Sequence, residues 1–367
     1  MQIAKVDCSN VFSDVLYRPF LCTYTSLQPY TSNIPCRNAI PRLADLTPED
    51  FSQSWSNKPF ILTEPVKQWP VYKSWGTETL LASYEHVKFR AEAVDWTLDT
   101  YVQYMHNNSD ESPLYLFDRS FLDKMHITNN KYDTAPAYWP PECFGEDLFT
   151  VLGDERPDDK WLIVGPARSG STYHKDPNAT SAWNAVLRGS KYWIMFPSSS
   201  SAPPPPGVYV SEDQSEVTSP LSIAEWLLGF HAEARKTPGC VEGVCREGEV
   251  LHVPSGWWHL VVNLDVSIAI TQNFIPRSHL AEVLSFLKDK VDQVSGFKKE
   301  VTDPYNIFVE RMREEYPDLL EEALEELKRK AEGKKRKWEE TIAKTEREES
   351  AGGFSFGFGD DSDEDVP

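Results

Sequence analysis

Cationic residues are scarce in this chain: 37 Lys and Arg stand against 57 Asp and Glu, for a net charge of −20 at pH 7. Binding to nucleic acid depends on a basic face that neutralises phosphates, so direct nucleic-acid binding is not expected. An acidic field instead favours basic peptide or protein segments as partners. Long apolar runs are also missing: no stretch of about 18 apolar residues occurs, so no membrane-spanning helix is expected. The opening MQIAKVDCSNVFSDVLYRPF lacks the basic-then-apolar order of a secretory leader. The 6 cysteines are few and irregularly placed, which suits reduced thiols in an intracellular protein better than a disulfide framework. Cys240 and Cys245, in CVEGVC, have no second Cys/His pair nearby to complete a structural zinc site.

What is abundant is aromatic surface: 12 Trp, 15 Tyr and 18 Phe in 367 residues. That is a globular composition, long enough for one large domain or two modest ones. Residues 1–42, rich in Pro, Ser, Thr and Asn, read as an extended arm. Thr47 followed by Pro48, Glu49 and Asp50 marks a helix start. KPFILTEPV reads as a buried strand, HVKFRAEA and SPLYLFD as further strands. TLDTYVQYMHNN spaces Leu98, Tyr101, Val102 and Met105 as one helical face.

From 161 to 275 the pattern becomes short strands with Gly/Pro punctuation: KWLIVGP, STYHKD, SAWNAVLRG, SKYWIMFP, GEVLHVPSG, WHLVVNLD and VSIAITQNF. Such a series indicates an antiparallel sandwich or barrel. An insert over 198–247, holding the helix-like SIAEWLLGFHAEARK, is expected to interrupt it. SHLAEVLSFLKDKVDQV and the run from 317 to 349 show helical spacing, giving C-terminal helices over 291–349 and a disordered acidic tail over 350–367. Residues 301–367 hold 20 acids and 11 bases.

The stretch STYHKDPNATSAWNAVLRGSKYW carries the chemistry. On a strand, residues two apart share a face, so His174 and Asp176 are expected to project into one cavity. An H-x-D pair is common by chance, and a strand histidine is more often packed core than ligand. Two His and one carboxylate, however, form the triad of non-haem Fe(II) oxygenases, which leaves coordination positions open. For the third ligand His252 and His259 are both available; His259, opening the strand after VPSGWW, is preferred. If 2-oxoglutarate is the co-substrate, its far carboxylate needs a cation, which Lys191 can supply. Tyr115, Ser171, Asn184 and Thr271 are neutral hydrogen-bonding groups on neighbouring strands.

SPLYLFD (112–118), GPARSGSTYHKDPNATSAWNAVLRGSKYWIMFP (165–197) and HVPSGWWHLVVNLDVSIAITQNF (252–274) together resemble the Jumonji C (JmjC) family of cupin-fold oxygenases. Within it they are closest to the group around the nuclear lysyl hydroxylase once described as a phosphatidylserine receptor. The likeness covers about residues 40–290. It implies an α+β fold: a double-stranded β-helix (cupin, or jelly roll) with flanking helices and a helical C-terminus, the catalytic domain being 43–290. It places iron ligands on His174, Asp176 and His259, and 2-oxoglutarate contacts on Tyr115, Ser171, Asn184, Lys191 and Thr271. Trp161 matches an aromatic of the site wall, or is simply core. CSNVFSDVLYRPFLCTYTSLQPY looks like the segment that follows an F-box in fungal members of the group, which leaves open both a truncated gene model and a stand-alone form.

The expected activity is oxidation of a protein side chain by O₂, with 2-oxoglutarate decarboxylated to succinate. Hydroxylation of lysine in nuclear proteins is the leading reading. Demethylation of histone lysine or arginine is the alternative, and a non-catalytic adaptor is the reading from another class. KRKAEGKKRK (328–337) has the composition of a nuclear import signal or, more plainly, of a solvated helix face paired to Glu321, Glu322, Glu325 and Glu326. Ser362, among acids, is a candidate phosphorylation site, and the C-terminal helices are a candidate homodimer contact.

Overall fold

The structure, a computed structural model, describes residues 25–198, 203–212, 215–220 and 222–333. The chain divides into one compact unit to Glu315 and a second from Tyr316. The first unit is built on strands β1 (Arg42–Leu43), β2 (Phe60–Leu62), β3 (Lys88–Ala91), β4 (Val94–Thr97), β5 (Leu116–Asp118), β6 (Lys160–Gly165), β7 (Gly170–His174) and β8 (Ser181–Arg188). They are followed by β9 (Ser190–Phe196), the small hairpin β10 (Tyr209–Val210) and β11 (Val217–Thr218), then β12 (Val241–Arg246), β13 (Glu249–Val253), β14 (Trp258–Asn263) and β15 (Ser267–Phe274). A large sheet runs β1-β2-β13-β8-β15-β6-β5-β3-β4, and a small one β12-β9-β14-β7. From β6 to β9 and again from β12 to β15, successive strands fall alternately into the two sheets, which is the winding of a double-stranded β-helix.

Alternate residues divide each strand between two environments. In β8, Trp183, Ala185 and Leu187 join the outer core of the large sheet with Trp69, Phe89 and Tyr101, while Ala182 and Val186 turn inward beside Trp193, Met195 and Val261. In β9, Tyr192, Ile194 and Phe196 pack outward on Trp226 and Leu227. Both faces of these strands are therefore apolar, and the chain reads as continuous hydrophobic runs. The β8–β9 turn requires Gly189: its φ is +75°, and a Cβ there would lie 2.4 Å from the Val266 carbonyl oxygen.

Helices cover the outer faces: α1 (Thr77–Tyr84), α2 (Leu98–Asn107), α3 (Ile223–Ala234), α4 (Leu280–Asp289) and α5 (Pro304–Glu315). Leu98, Tyr101, Val102 and Met105 of α2 are buried, and Thr97 caps it by accepting from the Thr100 N–H at 3.3 Å. Thr47 likewise accepts from Asp50 at 3.1 Å, although the helix it starts is one turn that widens into a π-turn over Phe51–Trp55.

Some elements depart from the sequence reading. The stretch 198–247 is not wholly an insert: its last residues form β12, which pairs along its length with β9. HVKFRAEA supplies only β3, and a tight turn through Glu92 (φ 49°) leads to the unanticipated partner β4. The helix from SHLAEVLSFLKDKVDQV stops at Asp289. Residues 25–42 of the supposed arm hold two short helical turns before β1 runs parallel to β2. There Asn38 is buried and donates to the Cys240 carbonyl at 3.0 Å.

In the second unit residues 317–333 are helical, and Lys330 pairs with Glu326 at 2.6 Å, four residues back. Lys334 to Lys337, the acidic tail and Ser362 lie outside the described residues, as does CSNVFSDVLYRPFLCTY.

Candidate active site

His174 ends β7, and His259 lies directly across from it in β14. Their ring centroids are 4.1 Å apart. Each ring is oriented by the backbone two residues before it: His174 Nδ1 meets the Thr172 carbonyl at 2.8 Å, and His259 Nδ1 the Trp257 carbonyl at 3.0 Å. Carbonyls only accept, so Nδ1 carries the proton and each Nε2 keeps its lone pair free for a metal. Asp176 does not lie within β7. It sits two residues beyond, in extended backbone (φ −63°, ψ 147°), where Pro177 starts a 3₁₀ turn. Its Oδ1 is 4.0 Å from His259 Nε2.

One ligand atom from each of the three residues lies within 4.8 Å of the others. Asp176 Oδ2 is buried with no hydrogen-bond partner. Burial pushes the Asp176 carboxyl up to about 6, with His174 opposing the rise, and drives His259 well below its ordinary range. Two imidazole Nε2 atoms and one orphaned carboxylate oxygen are a donor set that suits a divalent first-row metal. Among the described residues no other such cluster occurs. Cys240 and Cys245 do not form one, because Cys240 packs outside the small sheet and Cys245 inside it. His252 is turned away as well, buried on the outer face against Phe51, Phe60, Phe144 and Phe274. Burial there brings its pKa down to about 3.

A cavity of about 280 Å³ between the sheets is lined by His174, Asp176 and His259 at one end and by Tyr115, Ser171, Asn184 and Thr271 beyond them. Ser171 reaches it through an irregularity. It is three residues from His174, so a regular strand would put the two on opposite faces. The pairing of β7 with β14 slips between His259 and Val261, where one extra residue of β7 restores Ser171 to the inner side. Thr271 donates to the Trp183 carbonyl at 2.8 Å, and Asn184 Oδ1 is buried with no partner. Lys191 is fully buried behind the wall, its ammonium donating to the Tyr115 hydroxyl at 2.5 Å. Burial lowers its pKa to about 7. Trp161 lines the cavity with Phe117, their rings 5.4 Å apart. Asn273 lines it too. The sequence reading passed over Asn273, although it lies two residues from Thr271 and therefore on the same face of β15.

A jelly roll that brings two histidines and an aspartate together, beside a mainly apolar cavity with a few hydrogen-bonding groups, has the form of a cupin-type mononuclear metal centre. The Cupin-like domain family matches residues 52–279. Similar proteins include an arginine-specific demethylase of Arabidopsis thaliana, 41% identical over 91% of this chain and 64% of the relative. A bifunctional arginine demethylase and lysyl-hydroxylase of Caenorhabditis elegans is 33% identical over 78% of this chain and 71% of that protein. A 2-oxoglutarate and iron-dependent oxygenase of Danio rerio is 27% identical over 54% of this chain and 44% of its own length. The chain belongs to the cupin-like family, within its JmjC group. It spans a little under two thirds of the Arabidopsis protein.

Proposed function

We propose that this oxygenase hydroxylates lysine side chains of nuclear proteins. The observation that carries the reading is the meeting of two cavities at His174. The inner one, about 280 Å³, ends at Tyr115 with Lys191 behind it and suits a dicarboxylate. The other, an open polar cleft of about 450 Å³, shares Ser171 and His174 with it and is edged by Glu92, Ser112 and Arg168. A protein segment can approach the centre from that side.

His174, Asp176 and His259 would hold Fe(II), which with O₂ supplies the oxidising power when bound. Lys191 and Tyr115 hold the far carboxylate of 2-oxoglutarate, a charge-assisted contact made stronger by burial. Ser171, Asn184 and Thr271 provide neutral polar contacts along its length. Trp161 and Phe117 shield the cavity from water. A net charge of −20 draws basic segments to the molecule, and the basic run 328–337 supports nuclear import.

A second reading, removal of methyl groups from arginine, is favoured by the name of the Arabidopsis relative and by half of the name of the nematode one. The same site serves both, since oxidation of an N-methyl carbon is followed by release of formaldehyde. Peptide arrays incubated with the protein, Fe(II) and 2-oxoglutarate separate them by mass spectrometry. Gain of one oxygen on lysine supports hydroxylation, and loss of methyl groups from arginine supports demethylation. If succinate forms and arginine methyl groups are lost while lysine is untouched, the hydroxylase reading is wrong.

A further inference from the structure

The Asp176 carboxylate takes its place in the centre from the backbone that carries it. Its Oδ2 is buried with no hydrogen-bond partner, and its Oδ1 lies 4.0 Å from His259 Nε2, beyond hydrogen-bond range. That backbone turns at once. After Pro177 come two non-glycine residues in the left-handed region, Asn178 (φ 56°) and Ala179 (φ 55°). Asparagine tolerates this region better than most residues, and alanine does not. Such a turn persists only where its surroundings hold it.

Asn178 supplies the hold. It is buried, and both polar atoms of its side chain meet one residue: Nδ2 donates to the Ser295 carbonyl at 2.9 Å, and Oδ1 accepts the Ser295 N–H at 3.1 Å. Ser295 lies beyond α4, 117 positions along the chain. Its segment is tied down in turn, since the Gly296 carbonyl accepts the Asp158 N–H at 3.0 Å just ahead of β6. The far end of the turn is fastened to the strands around the centre. Ser255 donates to the Ala179 carbonyl at 2.6 Å, and Asn273 donates to Thr180 Oγ1 at 2.8 Å. We propose that Asn178 is a positioning residue for Asp176: its two-bond clamp on Ser295 keeps the turn wound so that the carboxylate faces the two histidines. This rests on the reading of His174, Asp176 and His259 as a metal centre. Without the clamp the turn relaxes toward ordinary backbone and the carboxylate swings away, while the histidines stay paired across β7 and β14.

The test is titration of the metal-free full chain with Co(II), without O₂, followed by the visible absorption of the bound ion. Asn178→Ala is expected to weaken Co(II) roughly ten- to a hundred-fold, the usual cost of removing a group that orients a metal ligand. Its absorption band should shift toward that of Asp176→Ala. Asn178→Gly accepts the left-handed backbone but cannot clamp it, and is expected to bind as weakly. In an Asp176→Ala background the Asn178 changes should add almost nothing, because the carboxylate they act through is gone. If Asn178→Ala does not fold, Ser295→Pro carries the same cycle by removing the N–H that meets Oδ1. Val294 before it already has the extended backbone (φ −66°, ψ 132°) that a following proline requires. Wild-type Co(II) affinity in Asn178→Ala or Asn178→Gly, or an undiminished effect in the Asp176→Ala background, overturns the proposal alone. A wild-type chain that takes up no Co(II), or binds it equally well as Asp176→Ala, overturns the metal-centre reading and the proposal with it.

Discussion

His259 stands directly opposite His174 in the antiparallel pairing of β14 with β7, and the two ring centroids are 4.1 Å apart. The backbone ladder, not the imidazoles, holds that distance. Replacing His174 or Asp176 by Ala is therefore expected to abolish 2-oxoglutarate turnover and lower Fe(II) or Mn(II) affinity by a factor of at least about a hundred, the worth of one metal ligand. The melting temperature of the metal-free protein should stay close to wild type. Succinate release at the wild-type rate from either variant would remove these residues from the centre.

Lys191 couples stability and binding with opposite signs. Burial takes its pKa from an ordinary 10.5 down to about 7. Between those values the unfolded chain binds more protons than the ligand-free fold. The lysine's contribution to stability is thus fully present above pH 10.5 and is lost as pH falls through about 7. Lys191→Met is expected to raise the melting temperature of the ligand-free protein, most clearly below neutrality. It should weaken 2-oxoglutarate roughly ten- to a hundred-fold, since a hydrogen bond to a charged group contributes about 1.5–3 kcal/mol. In the wild type, affinity should decline as pH rises above neutrality, because binding requires the charged lysine. Thermal melts and calorimetric titrations across pH 6–9 check both arms, and an unchanged 2-oxoglutarate affinity in the variant would rule out this role for Lys191.

Gly170 permits a close approach of β7 to β14. A Cβ there would lie 2.0 Å from the Val261 carbonyl oxygen. Gly170→Ala is expected to force the strands apart beside the irregular pairing that carries Ser171. The cost should be about 1–3 kcal/mol, in the range of other overpacked sites. Metal affinity should fall along with the melting temperature. Denaturant unfolding and Mn(II) titration are the measurements; a variant as stable as wild type would mean that β7 can shift without penalty.

Deleting residues 328–367 is expected to leave turnover on short peptides intact and to move the protein from nucleus to cytoplasm. Fluorescence microscopy of tagged chains reads the second effect. A nuclear deletion variant would reduce the basic run to a solvated helix face, for which the Lys330–Glu326 pair is already a precedent.

Much of the architecture was legible because short strands separated by turn residues leave a local mark, as in WHLVVNLD and SKYWIMFP. The helix over Leu98–Asn107 was legible from its cap and its buried face. Less visible were elements whose partner is distant. VEGVCR gives no local sign that Val241–Arg246 is a core strand, since it is stabilised by pairing with β9, some fifty residues earlier.

By itself the sequence determined the chemistry available: a histidine and an aspartate two apart, a later histidine, a lysine opening a strand, and polar residues at alternating positions. Residue type and spacing carry that much, because donor atoms and charge belong to the side chains. Which of these groups meet was decided by tertiary structure. His252 and His259 differ only in the face to which their strands turn them, and both faces are apolar, so no local pattern separates them. Asp176 reaches the centre from the turn after β7, and Ser171 through one extra residue in that strand. Lys191 meets Tyr115 across 76 positions of chain. Such meetings follow from strand register between distant segments, which depends on how the whole core packs rather than on any stretch read alone.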